Sequence, residues 1–494
     1  MSDPTPEAPD PATVTPTATA TPTVTVTVAD GTLRGHVLGG TRRFRGVRYA
    51  TAARCEPPVD TPAWEGTVDA LSFGPQAPQN AGALEKMLGS SDADTGEDCL
   101  VLNVWTPVPD SSTGSGRRPV LVWIHGGAYV TGSGSMPWYD GTALVERGDV
   151  VVVTINYRLG ALGFLGGSDL GTLDMISALR WVNRNVEALG GDPQHVTIVG
   201  ESAGGSAVVS LFAAPGADGL FHRGWAMSPS ILQLRTMHEA DELTARFLDL
   251  LGVESTDDVR TAELADVLAA QTRMPVAAGL KNFSPTDGTE VIPEPILDTA
   301  AHDPRPLVIG TNRDELLLFT AFDPARSGWG DEDVRREFGR RFDDAPVAIE
   351  AYRRRRPDAV GDASRLVSSM QTDEMFRIPA VRLADARAEA GHDTWVYEFH
   401  QTTPAFGGRL GSCHGLDIPF AFHNLDRQGA AMFTGGSDDL VPVADDFADA
   451  LLAFAHHGDP AWARFDTDTR PTRIIGPEPR TVHDPEPDLR RLWG

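Results

Sequence analysis

The chain has 494 residues, with 42 Lys and Arg against 69 Asp and Glu, a net charge of −27. So acidic a surface excludes binding along a phosphate backbone, which needs clustered cations. With 41% hydrophobic and 22% charged residues, the composition is that of a globular protein, and no apolar run reaches the ~18 residues of a membrane-spanning helix.

Residues 1–22 are dominated by Pro, Thr and Ala without apolar periodicity, and we expect a disordered tail. The first basic residue is Arg34, so no basic n-region of a signal peptide opens the chain, and a cytoplasmic location is expected. A β-prone run at 24–28 leads into the turn Ala29-Asp30-Gly31. From 23 to 494 no linker-like break or repeat follows, which suggests one domain. Short β-branched runs at 120–124, 150–155, 196–199, 224–227 and 307–309 read as buried strands, with 395–399 as an alternating sixth. Leu173, Ile176, Leu179, Val182, Val186 and Leu189 recur at helical spacing and predict a helix that Gly190-Gly191 ends. The charged stretches 236–271 and 330–363 predict surface helices inserted between sheet elements, where they would shape a pocket. Strands alternating with helices make this an α/β chain, with a mostly parallel sheet covered on both faces.

Two glycine-rich turns carry the chemistry. After the strand 120–124 comes His125-Gly126-Gly127-Ala128-Tyr129, an arrangement able to aim backbone N–H groups at an oxyanion. The donors would be Gly127, Ala128 and, from the second turn, Ala203. That second turn is Gly200-Glu201-Ser202-Ala203-Gly204, directly after a strand and before a helix. A turn that tight exposes Ser202 Oγ at the tip of the sheet, above the positive end of the helix. Taken alone, the first turn is better read as a simple Gly-rich loop; paired with the second it reads as an oxyanion hole.

A serine nucleophile needs a base, and the base needs an acid to orient it; in such sheets the order is serine, acid, histidine. Glu315 and Asp314 compete in the turn that follows 307–309. His414, in the small-residue loop Gly411-Ser-Cys-His414-Gly-Leu-Asp417, competes with His400, His423, His456, His457 and His483. Spacing leaves both choices open.

Taken together, these blocks resemble the type-B carboxylesterase/lipase family, the cholinesterase-like branch of the α/β-hydrolases. The match runs from about residue 29 to residue 493. Besides both turns it rests on blocks at 44–50, 97–104, 156–159, 190–193, 310–315 and 372–376, and on His414-Gly415. The resemblance implies an α/β-hydrolase fold with helical insertions over the site. It also implies a Ser202–His414–Glu315 triad, with glutamate as the acid, Ser228 supporting it and Glu201 bordering the pocket. An Arg54–Glu97 ion pair is a further structural expectation. Departures from the family pattern are Ala77 where a cysteine often partners Cys99, Cys55 in place of phenylalanine, Met175 in place of glutamine and Pro229 in place of glycine. Cys99 is therefore expected to be unpaired.

The reaction so implied is hydrolysis of small or medium hydrophobic carboxylic esters through an acyl-enzyme, without metal or cofactor. No nucleic-acid partner is expected. An amidase or carbamate hydrolase would use the same triad, and a catalytically silent binding protein of this fold would lack the serine or histidine. His238-Glu239 begins a zinc-protease motif, but Glu242 stands where its second histidine belongs. A thiol nucleophile at Cys413 is set aside, because adjacent side chains rarely converge on one reacting atom. Trp138 and Tyr139 are equally suited to a pocket wall and to the core.

Overall fold

The computed structural model describes residues 21–80, 93–109, 117–274 and 283–494. Most of the expected tail, residues 1–20, lies outside the described residues. The first strand is Thr23–Val28, and just before it the Pro22 carbonyl accepts a 2.9 Å bond from Val37 N–H.

Twelve strands follow one another across a single twisted sheet, with the short Thr67–Asp69 alongside Gly31–Leu38 as a thirteenth. The centre is parallel. It runs Val151–Ile155, Arg118–Ile124, Gly191–Glu201, Arg223–Met227, Leu307–Asn312, Thr394–Phe399 and Pro471–Ile475. All six predicted inner strands lie in it. Antiparallel strands flank it, with Thr23–Val28, Gly31–Leu38, Thr41–Arg48 and Val101–Pro107 on one side and Arg480–His483 on the other.

Side chains alternate across a strand, and the core divides accordingly. Val120, Val122 and Ile124 face one way with Trp181 and Val182, while Leu121 and Trp123 face the other with Phe447 and Leu451. The predicted helix 173–189 is Leu170–Asn185 followed by a tighter turn, Val186–Leu189, which Gly190 ends at φ 91°. Helix Val441–His457 covers the opposite face.

The stretch 236–271 holds helix Met237–Leu251, which opens on a Thr236/Glu239 capping box, and most of helix Leu264–Arg273, which runs two residues beyond it. Within 330–363 lie Asp331–Gly339 and Ala345–Arg355, with a small core of their own around Phe338, Tyr352 and Met370. Helix Ala363–Thr372 then returns toward the sheet and widens into a π-turn, Asp373–Arg377. Among the described residues no helix is long and apolar enough to cross a membrane.

Candidate active site

Strand Gly191–Glu201 ends at Ser202, and helix Ala203–Phe212 starts on the next residue. Ser202 is held at φ 59°, ψ −120°, strained for a residue with a Cβ. Its N–H donates to the Met227 carbonyl at 2.9 Å, which locks the turn to the neighbouring strand. Gly204 is obligatory, since a Cβ there would strike the Ile124 carbonyl.

Beside it, strand Arg118–Ile124 runs out into the loop of Gly127, Ala128 and Tyr129, all with positive φ (109°, 53° and 58°). His125 braces this loop from below. Its ring stacks on Tyr157, and its Nδ1 lies 2.8 Å from the Gly126 carbonyl. Burial pushes that imidazole down to about 4, so it is neutral and donates from Nδ1. Among the described residues, the N–H groups of Gly127, Ala128 and Ala203 have no acceptor within the chain. They are therefore free to meet a developing negative charge.

Strand Leu307–Asn312 delivers Glu315 to the same end of the sheet. The Glu315 carboxylate is fully buried and accepts from His414 Nδ1 at 2.6 Å, from Ser228 Oγ at 2.6 Å and from Asn312 N–H at 2.7 Å. On the other side of the ring, His414 Nε2 comes within 3.2 Å of Glu201 Oε1, at an angle that misses hydrogen-bond geometry. Ser202, Glu201 and His414 line one cavity of about 260 Å³, together with Gly127 and Ala128. Among the described residues no hydrogen bond joins Ser202 Oγ to His414.

Comparison with known proteins gives this arrangement its relatives. The family model described as "Carboxylesterase family" matches residues 20–482. The chain is 34% identical to the para-nitrobenzyl esterase of Bacillus subtilis, over 93% of this chain and 96% of that one. It is also 34% identical to the phenmedipham hydrolase of Pseudarthrobacter oxydans, over 91% and 94%. The crystal structure of a Geobacillus stearothermophilus carboxylesterase superposes with a TM-score of 0.82 at 35% identity, covering 95% of this chain and 100% of that one.

The chain belongs to the carboxylesterase family. It is an α/β-hydrolase and a serine hydrolase of carboxylic esters.

In this carboxylesterase the rival residues have other employment. Asp314 pairs with Arg313 at 2.8 Å and accepts from Ser412 N–H at 2.9 Å. His400 meets Glu398 at 3.0 Å, His423 meets Asp445 at 2.9 Å, and His456 donates to the Gly148 carbonyl at 2.7 Å. His457 rests against His456, and His483 is exposed on the edge strand. Trp138 and Tyr139 both line the cavity, and Trp138 stacks on Phe433. Arg54 and Glu97 form the expected ion pair, with Arg54 also bound to the carbonyls of Val259 and Ala262. All three cysteines are unpaired.

Sequence reasoning missed part of the electrostatics. Asp417 is fully buried, accepts from Asn312 Nδ2 at 3.2 Å and is pushed up to about 7 by burial and by Glu315. Glu201 rises to about 8, chiefly through burial. Burial alone would lower His414, but Glu201, Glu315 and Asp417 outweigh it and raise the imidazole to about 9. The one available clue was that Asp417 follows His414 by three residues in the same loop. Phe319 and Phe376, which flank the imidazole at 5.4 and 4.9 Å, were likewise not singled out as a wall.

Proposed function

We propose that Ser202 is the nucleophile, His414 its general base and Glu315 the acid that holds the imidazole tautomer. The observation that carries this reading is the buried run Ser228–Glu315–His414, whose Nε2 lies beside Glu201 on the cavity that Ser202 also lines. Nε2 takes the hydroxyl proton as Oγ attacks the ester carbonyl, and the Gly127, Ala128 and Ala203 N–H groups stabilise the oxyanion. His414 then protonates the leaving alkoxide, and a water molecule repeats the cycle to release the acid. Catalytic hydrogen bonds are often long before substrate binds, so the serine–histidine contact forms on closure of the complex. Ser228 and Asn312 fix the carboxylate, while Glu201 sets the field at Nε2.

A cavity of about 260 Å³ walled by Trp138, Phe319, Phe376 and Phe433 suits small or medium hydrophobic esters. Residues 23–494 form one catalytic domain in this reading, and three unpaired cysteines are compatible with a reducing cytoplasm. Ser202→Ala should lower kcat for phenyl acetate on the order of 10⁶-fold, since triad members act as a unit. A fluorophosphonate probe should label Ser202 alone. More than a tenth of wild-type turnover in the variant, or labelling elsewhere, overturns the assignment.

A further inference from the structure

Three phenylalanines near the site stand in water. Phe319, Phe322 and Phe406 are 45%, 49% and 42% exposed, and clustered exposed aromatics mark binding surfaces. Phe319 lines the catalytic cavity and lies against His414. Phe322 comes three residues later, just past helix Leu317–Thr320, and meets Phe406 edge-on at 5.4 Å. Phe406 sits in the loop that runs from strand Thr394–Phe399 to His414.

The ridge is held in place at a cost. Phe406 adopts φ 53°, a left-handed conformation unfavourable for a bulky residue, yet its ring is not buried in return. Arg409 joins the two segments, with its guanidinium 4.6 Å above the Phe322 ring and a hydrogen bond to the Ala321 carbonyl. Beside Phe322 lies a second, largely polar hollow of about 450 Å³, which that residue lines with Asp323, Arg326, Asp362, Arg365 and Arg409. Neighbouring residues of one short helix thus face both spaces, Leu318 and Phe319 the catalytic cavity and Leu317 and Thr320 the outer hollow. The inner cavity, at about 260 Å³, falls below the ~300–1,000 Å³ that usually encloses a drug-sized ligand. An ester larger than the cavity has to extend outside it.

We propose that the exposed Phe322–Phe406 pair forms a distal subsite that binds an aromatic ring at the far end of an extended ester. The subsite rests on the hydrolase reading for its substrate, but it is tested separately. Phenyl acetate fills only the inner cavity, 4-benzyloxyphenyl acetate carries a second ring, and 4-heptyloxyphenyl acetate replaces that ring by an alkyl chain. Phe322→Ala and Phe406→Ala should each raise KM for the benzyloxy ester about fivefold, the magnitude of a lost aromatic contact. Their kcat, and all constants for phenyl acetate, should stay within about twofold. Phe322→Leu, which keeps apolar bulk, should weaken the benzyloxy ester and leave the heptyloxy ester unchanged. In a Ser202→Ala background, calorimetry should show the same loss of affinity for the benzyloxy ester without turnover. Equal changes for phenyl acetate and the benzyloxy ester, or no change in KM and affinity, would overturn the subsite even in an enzyme that hydrolyses phenyl acetate normally. Failure of Ser202→Ala to abolish turnover would instead strike the nucleophile, and the KM comparison would still decide the subsite.

Discussion

At the scale of single residues, the site is a balance between one imidazole and three buried carboxylates. Desolvation disfavours every charge there, so Glu201 and Asp417 rise toward neutrality while the carboxylates together hold a proton on His414. As the proposed general base, His414 must be unprotonated to accept the Ser202 proton, so its raised pKa moves the rising limb of the pH profile upward. For kcat/KM with phenyl acetate that limb should lie near pH 9, and activity should be lost as pH falls below it. Glu201→Gln removes the carboxylate nearest Nε2, so the limb should shift to lower pH. An unmoved limb would show that Glu201 does not act on the base through its charge. The same scale explains why Glu315 and Asp314, adjacent in the chain, differ in use: Asp314 is committed to Arg313 and Ser412, and only Glu315 meets the imidazole.

At the scale of elements, the strand-to-helix turn depends on how closely backbones approach. Strands Arg118–Ile124 and Gly191–Glu201 are parallel neighbours, and the helix after Ser202 starts so near the first strand that Gly204 has no room for a Cβ. Gly204→Ala should therefore destabilise the fold by about 1–3 kcal/mol, in the range of overpacking. It should also lower kcat by shifting Ser202. A chemical melt with unchanged midpoint would contradict the predicted clash. The π-turn at Asp373–Arg377 is a second positional device: it sets Phe376 against His414, while Arg377 pairs with Asp373 at 2.6 Å to anchor it. Nothing in helical periodicity signals such a turn, because an extra residue in one turn leaves no polar or apolar mark of its own.

Over the whole molecule, two helical layers and a sheet bury two of the three thiols. Cys99 is pushed up to about 12 by burial, and Cys413 is raised as well by burial, whereas Cys55 is half-exposed. In the native protein a thiol reagent should modify Cys55 first, with Cys99 and Cys413 reacting only on unfolding. Reducing agent should leave the melting temperature unchanged. Fast native labelling of Cys99 would contradict its burial.

The central strands and the strand-to-helix turn at Ser202 were legible in the chain, since fully buried parallel strands are continuous β-branched runs and a Gly-x-Ser-x-Gly turn needs small residues at fixed places. Other strands were less so. Thr41–Arg48 is rich in arginine and Pro471–Ile475 is broken by one, and pairing with neighbours rather than local pattern makes them strands. By itself, then, the sequence determined the central strands, the main helices, the two glycine turns and the competing acids and histidines, because these follow from local sterics, periodicity and residue type. Which histidine meets which carboxylate, the burial that drives Glu201 and Asp417 upward, and the aromatic ridge beyond the cavity were decided only by the tertiary structure. Contacts among residues so far apart in the chain depend on where the sheet ends its strands, and no local pattern encodes that.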